Sequence, residues 1–140
     1  MEYSSQITDV LQRIAVATER HTDQVLQERI GIGMAQFKVL WLLHSQPEMR
    51  QAHMATYLNQ TEASISRQIK LLASKGLVVS AVNTKNRREH IHTLTPIGVK
   101  MTVAANDVMQ QTQQTFFAEM SDKQQKQLLE LLTSLQSNVR

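Results

Sequence analysis

The segment TEASISRQIKLLASKGLVVSAVNTKNRREHIHTLTPIG, residues 61–98 of the chain, decides the fold. Its first half has apolar residues at helical spacing, and Thr61 can cap that helix because its hydroxyl accepts a free amide of the first turn. Gly76 suits the left-handed position after the last turn, and Leu77 can supply the apolar contact that follows it. The segment therefore begins with a helix that ends near Ser74.

The second half of this segment predicts a β-hairpin. Val78–Val82 is short and β-branched, residues 83–88 are polar and suit a turn, and residues 89–94 alternate as a returning strand does. Thr95 and Pro96 then open another helix, with Thr95 as its N-cap and Pro96 at the first position, where the missing N–H costs nothing.

Helical spacing accounts for most of the remaining chain. Three helices precede the segment, over residues 6–28, 34–45 and 50–57, and a last helix begins at the capping box of residues 121–124. The order is four helices, a hairpin and two more helices. We therefore predict a mainly α fold with a small β-hairpin.

Positive charge is concentrated in one part of the chain. Residues 67–100 carry seven cations against one acid, Glu89, so their formal charge is +6, whereas the whole chain has +3. The seven are Arg67, Lys70, Lys75, Lys85, Arg87, Arg88 and Lys100. A basic stretch on a nearly neutral body is expected of a surface that contacts phosphate, although a solvated face that keeps the protein soluble would have the same composition.

The helix of residues 61–74 has one face suited to a DNA groove. At about 100° per residue, Ile65, Ile69 and Leu72 fall together and must face the core. The opposite side begins with small residues and continues into cations: Ala63, Arg67, Lys70 and Ser74, with Ser64 and Ser66 on the flanks. Small side chains allow close approach to bases, and arginine can bind a guanine edge or a phosphate. With the short helix before it, this predicts a helix-turn-helix, although an ordinary amphipathic surface helix would look the same.

The turn of the hairpin carries three cations, Lys85, Arg87 and Arg88. A basic turn directly after such a helix has the geometry of a wing, whose arginines can enter an adjacent minor groove. Exposed cations also protect the edge of a small sheet from pairing, which explains one lysine better than three clustered cations. We therefore interpret the turn as a probe for phosphate and the minor groove.

Several stretches of the sequence resemble the MarR family of winged helix-turn-helix transcriptional regulators. They are SISRQIKLLASKGLV (residues 64–78) with NRREHIHTLTPIG (86–98), MAQFKVLWLL (34–43) and HMATYLNQT (53–61). The resemblance implies a ligand-responsive repressor that binds double-stranded DNA at a pseudo-palindromic operator as a homodimer. Within a single domain, residues 1–140, residues 34–95 would form the DNA-binding lobe, and the helices within 1–30 and 96–140 would form the dimer interface.

The resemblance also assigns the DNA-binding residues. Ser66 and Arg67 stand at the family's Thr/Ser-Arg pair in the recognition helix, and Arg88 stands at its wing-tip arginine. The expected set is Thr61, Ala63, Ser64, Ser66, Arg67, Lys70, Lys85, Arg87 and Arg88. Arg67 is expected in the major groove and Arg88 in the minor groove. Asn86 departs from the family pattern, because an acid that helps to orient the wing arginines usually stands there.

The resemblance further implies a small aromatic or amphipathic anionic effector, bound between the dimer helices and the DNA-binding lobe. Phe37, Trp41 and His44 share one face of the second helix and could border such a pocket, with core packing as the alternative for Phe37 and Trp41. The effector-binding residues stay unassigned.

Other functions fit the sequence less well. The chain has no cysteine, which excludes disulfides, thiolate metal sites and cysteine redox sensing. His90 and His92 share one strand face, but zinc takes three or four ligands, so we expect no metal and no cofactor. We find no phosphate-binding glycine loop and no nucleophile with a base beside it, so we do not expect an enzyme.

The remaining alternative is a winged-helix protein-interaction module that does not bind DNA. Salt dependence would separate the two functions, because neutralising several phosphates makes DNA affinity fall steeply with salt. No apolar run approaches the ~20 residues that span a bilayer, and residues 1–10 lack the features of a secretion signal. We therefore expect a cytoplasmic protein.

Overall fold

The computed structural model describes residues 2–139 and confirms the predicted order of elements. These are α1 (Glu2–Arg29), α2 (Met34–Ser45), α3 (Gln51–Leu58), α4 (Glu62–Ser74), β1 (Val78–Val82), β2 (His90–Leu94), α5 (Pro96–Phe116) and α6 (Asp122–Asn138). The strands pair antiparallel, with Val78 opposite Leu94 and Val82 opposite His90. The first helix starts four residues earlier than expected, and the third is shifted by one residue. None of the helices within residues 2–139 is both long and apolar enough to cross a membrane.

The core is built around α2. Its buried side chains lie on several sides of the helix: Phe37, Val39, Leu40, Leu42 and Leu43. They are covered by α1, α3, α4, α5 and β2, which all pack against α2. The single apolar face expected from Phe37, Leu40, Trp41 and His44 is therefore wrong in part, because a helix surrounded by other elements is buried all round. Trp41 is 37% exposed and His44 is exposed, so neither belongs to the core.

The α4 helix has the amphipathic pattern predicted from the sequence. Ile65 and Leu72 are fully buried, and Ile69 is nearly so. The Thr61 hydroxyl accepts a hydrogen bond from Ser64 N at 3.1 Å, which confirms Thr61 as the N-cap. Gly76 adopts φ +74°, the left-handed conformation expected at the end of this helix.

A close junction joins the end of α4 to the start of α5. Thr95 N donates to Leu77 O at 3.0 Å, and the Thr95 hydroxyl donates to Gly76 O at 2.7 Å. The same hydroxyl accepts from Gly98 N at 3.0 Å as the N-cap of α5. A Cβ atom added at Gly98 would overlap the Leu77 carbonyl oxygen. The hairpin is therefore clamped at its base between two helices whose backbones touch.

The helical spacing of apolar residues in α5 predicts a buried stripe that consists of Met101, Ala104, Ala105, Val108, Met109 and Thr112, and the structure differs from it at two positions. Ala104 is exposed, whereas Thr102 is fully buried beside Ala105 and Val108. Thr102 is tolerated in the core because its hydroxyl donates to the Gly98 carbonyl at 2.7 Å. A polar residue with a local backbone partner was not recognisable as a core residue from apolar periodicity.

The two terminal helices expose large apolar side chains. No residue of α6 is buried, and those buried in α1 are Thr22 and Leu26. The exposed apolar residues include Tyr3, Ile7, Val10 and Ile14 on α1, and Leu129, Leu131 and Leu135 on α6. This chain alone leaves those surfaces uncovered.

We expect Gly98→Ala to destabilise the protein. A glycine-to-alanine exchange in an unobstructed helix stabilises by about 0.5–1 kcal/mol, but here the new methyl group meets backbone that cannot rotate away. Overpacking of this kind costs about 1–3 kcal/mol. Urea unfolding at matched protein concentration measures the effect, with Ala104→Gly at the exposed side of the same helix as the control. A midpoint equal to or above that of the wild type would show that the junction is not tightly packed.

Candidate nucleic-acid interface

The solvent-facing side of α4 carries the residues expected to contact DNA. Ala63, Arg67 and Lys70 are exposed, whereas Ser64 and Ser66 are half-buried. The Ser64 hydroxyl donates to the Gln60 side chain at 3.1 Å. Two of the expected residues therefore also have structural roles, because Thr61 caps the helix and Ser64 bonds to the turn before it.

The wing turn is held by two asparagine side chains. Asn83 Oδ1 accepts from Lys85 N at 3.0 Å, and Asn86 Oδ1 accepts from Arg88 N at 3.2 Å. These are Asx turns, in which a side-chain oxygen orders the backbone two residues later. Asn86 thus supplies the acceptor that an aspartate would supply, without the negative charge. The side chains of Lys85, Arg87 and Arg88 are exposed at this turn.

A cleft of about 400 Å³ lies between α3, α4 and the wing, and it brings two of the expected residues together. Its lining consists of Arg50, Gln51, Ala52, Glu62, Ser66, Arg88, Glu89 and His90. Ser66 and Arg88, from the recognition helix and the wing, thus line one continuous surface. Arg50 joins them although it lies far from both in the chain, so the periodicity and composition of single segments did not indicate it.

One member of the basic stretch is used inside the fold. Lys75 Nζ donates to Gly31 O at 3.2 Å and to Gln36 Oε1 at 3.1 Å, which fastens the end of α4 to the α1–α2 connection. Lys75 keeps its charge and is exposed, but these bonds hold its ammonium group beside the α1–α2 connection.

The base of the wing contains a buried histidine. His92 is 5% exposed, its Nδ1 atom is hydrogen-bonded to Ser80 Oγ at 2.7 Å, and its Nε2 atom has no partner among the described residues. Its ring stacks on that of exposed His90, with 6.4 Å between the centroids. Burial, and secondarily the neighbouring His90, lower the pKa of His92 below 6.5.

We expect this histidine to make stability depend on pH. Because the folded-state pKa of His92 is lowered, the unfolded chain binds its proton more readily. The contribution of neutral His92 to the free energy of unfolding is therefore fully present above pH 6.5. It is lost as the pH falls from 6.5 toward and through the lowered pKa of the folded state. Urea midpoints at pH 7.5 and pH 5.5 should differ more for the wild type than for His92→Gln. An equal difference in both proteins would contradict this assignment.

These features define a winged helix-turn-helix protein, with a basic face on its recognition helix and a basic wing beside it. The model of the MarR family matches residues 32–90, from the α1–α2 connection to the first residue of β2. Over these residues the chain is similar to the MarR family, and this similarity agrees with the expectation of a DNA-binding transcriptional regulator rather than an enzyme. The resemblance noted from the sequence is therefore confirmed.

Individual relatives agree with this family. The chain is 25% identical over 125 residues to a protein of Thauera aromatica assigned to transcriptional regulation of the hcr operon, covering 89% of this chain and 75% of that one. A MarR transcriptional regulator of Methanosarcina mazei Go1 shares its fold with a TM-score of 0.83 at 21% identity, over 96% of both chains. MepR of S. aureus, in a structure of its complex with DNA, superimposes with a TM-score of 0.76 at 23% identity, over 99% of both chains.

Proposed function

We propose that this protein is a sequence-specific repressor that binds a pseudo-palindromic operator in double-stranded DNA as a homodimer. The observation that carries the proposal is the shared surface of α4 and the wing, on which Ser66 and Arg88 line one cleft and Arg67 and Lys70 stand exposed. In this proposal α4 enters the major groove and the wing tip follows the adjacent minor groove. The protein would act in the cytoplasm.

The exposure, charge and size of the nine proposed DNA-binding residues suggest a role for each. Arg67 and Arg88 are exposed cations at two separate points of the surface, suited to a base edge and to a narrow minor groove respectively. Lys70, Lys85 and Arg87 are exposed and suited to phosphates. Thr61, Ala63, Ser64 and Ser66 keep the first turns of α4 small enough for close approach to the bases.

The homodimer is supported by the uncovered terminal helices. Leu131 of α6 is 70% exposed and Ile7 of α1 is 51% exposed, and other apolar residues lie along both helices. Contiguous exposed apolar surface on this scale is typical of protein interfaces. We therefore propose that the helices within residues 1–30 and 96–140 pair with those of a second copy, while residues 34–95 form the DNA-binding lobe.

The proposed effector is a small aromatic or amphipathic anion, and a groove of about 430 Å³ between α1, α2 and α5 suits it. The groove is lined mainly by apolar side chains such as Met34, Phe116 and Phe117, and its cation, Lys38, lies 2.8 Å from Glu19. An aromatic carboxylate could place its ring on the apolar lining and displace Glu19 from Lys38. The site expected from Phe37, Trp41 and His44 has less support, because Phe37 is buried and none of the three lines this groove.

Selection from a pool of random duplex DNA at two salt concentrations tests the proposal. We expect enrichment of an inverted repeat with half-sites about one helical turn apart, and retention that falls steeply with salt. Salt-sensitive retention without enrichment would leave only a basic surface. No retention at either salt would favour the protein-interaction alternative. Repeating the assay with benzoate tests the effector, and a reporter placed behind the recovered operator tests repression.

We expect Arg88→Ala to weaken binding to the recovered operator by about 1–3 kcal/mol, because it removes a direct groove contact. Fluorescence anisotropy at fixed salt measures the change. Lys123→Ala, which removes an equal charge from exposed α6, is the control and should change affinity little. If the two variants lose equal affinity, the wing makes no specific contact.

We expect Leu132→Asp to dissociate the dimer, because the half-buried Leu132 would be covered by the partner and an unpaired charge there is costly. Sedimentation velocity should report a monomer. The control is Ser137→Asp, which puts the same charge on a side of α6 that faces away from Leu131 and Leu132 and should leave the dimer intact. A Leu132→Asp protein that still sediments as a dimer would place the interface elsewhere.

A further inference from the structure

The ion pair between Arg50 and Glu89 crosses the cleft beside the recognition helix. Arg50 Nη1 lies 3.5 Å from Glu89 Oε1, and this is the ion pair within residues 2–139 that connects the helix-turn-helix to the wing. Glu89 is also the one acidic residue in residues 67–100, which carry seven cations. The pair therefore neutralises a cation in a cleft that also contains Arg88 and, in the first turn of α4, the acid Glu62.

The geometry of this pair indicates a weak interaction, in which another anion can replace Glu89 as the partner of Arg50. Its separation of 3.5 Å exceeds the 2.8 Å of the pairs Arg13–Asp9 and Lys38–Glu19, and the Arg50 side chain is 73% exposed. Charge-assisted hydrogen bonds are strongest at roughly 2.7–2.9 Å, and an exposed pair contributes only about 0–1 kcal/mol to stability. An anion that reaches the cleft can thus replace Glu89 as the partner of Arg50 with little loss of stabilising free energy.

The position of Arg50 indicates which anion that would be. Arg50 is the N-cap residue of α3, the first helix of the helix-turn-helix, and no side chain caps this helix end. In this motif the first helix crosses the DNA backbone while the second enters the major groove. Arg50 lines the same cleft as Ser66 and Arg88, so a duplex seated on α4 and the wing would bring a phosphate past it.

We propose that Arg50 is a phosphate-binding residue of the DNA interface, and that Glu89 holds it in the free protein until a DNA phosphate replaces the carboxylate. This inference rests on the proposed DNA-binding function. Binding then includes the exchange of one ion pair for another. Glu89 acts through Arg50 as a positioning residue that lowers affinity and keeps the arginine directed across the cleft.

The test is the salt dependence of operator binding in four proteins: the wild type, Arg50→Gln, Glu89→Gln and the double variant. Loss of one phosphate contact should make the slope of log affinity against log salt less steep by about 0.9 in Arg50→Gln. Glu89→Gln should bind more tightly by up to about fivefold, the factor to which the upper end of the free energy of an exposed pair converts. Circular dichroism melting should be little changed in the three variants, since Arg50 is exposed and glutamine has nearly the size of the half-buried Glu89.

The double variant distinguishes the exchange from simple repulsion of DNA by an acid. If Glu89 acts through Arg50, replacing Glu89 in the Arg50→Gln background should no longer raise affinity. Glu48→Gln, on the exposed connection before α3, is the control for removal of an acid elsewhere and should have the same effect in either background.

Two results would overturn the inference while leaving the proposed function intact. An Arg50→Gln protein with an unchanged salt slope would show that Arg50 meets no phosphate. If Glu89→Gln still raises DNA affinity in the Arg50→Gln background, the charge of Glu89 repels DNA directly and no exchange of ion pairs takes place at Arg50. A wild-type protein that retains no duplex at any salt concentration would instead refute the proposed DNA-binding function itself.

Discussion

The contact between the start of α5 and the end of α4 fixes the relation between the two halves of this protein. Thr95 bonds to both Gly76 and Leu77, and Gly98 allows the α5 backbone to lie directly on the Leu77 carbonyl. The recognition helix ends there, the wing begins and returns there, and the long helix toward the terminal region starts there. Because backbone rather than flexible side chains makes this contact, the wing and α4 should move together with α5. Two independent lobes would need a looser connection at this point.

Local signals accounted for most of the fold. Thr61, Thr95, Pro96 and the capping box at Ser121 each limit a helix through their own backbone chemistry, and the structure has all four in those roles. The errors lie where burial depends on several elements at once. Burial around α2 was underestimated because four other helices and a strand cover it, and Thr102 was missed because its hydroxyl is satisfied within its own helix. A single amphipathic pattern contains neither kind of information.

The candidate site was predictable where it lies on one element and not where it joins two. The exposed face of α4 and the basic turn follow from the periodicity and composition of their own segments. The approach of Arg50 to Glu89 joins residues far apart in the chain, and Lys75 reaches back to Gly31 and Gln36. Counting charges along the sequence therefore could not place two of the charged side chains: Lys75 is held at the α1–α2 connection, and the acid Glu89 faces Arg50, which lies outside residues 67–100. The structural role of the neutral Asn86 depends only on its own turn, because its amide oxygen accepts a hydrogen bond from Arg88 N.

The length of α1 has a mechanical consequence. Its 28 residues make a rod about 42 Å long at about 1.5 Å per residue. One end is anchored through Asp23, whose carboxylate accepts from Met34 N at 2.8 Å and so caps α2, while the opposite end carries the uncovered Ile7 and Val10. The groove that contains Glu19 and Lys38 lies along the middle of α1, between Asp23 and the uncovered end. In the proposed homodimer, a small tilt of α1 at this groove would displace the uncovered end further than the groove itself, so α1 would act as a lever between the proposed effector and the spacing of the two proposed DNA-binding lobes.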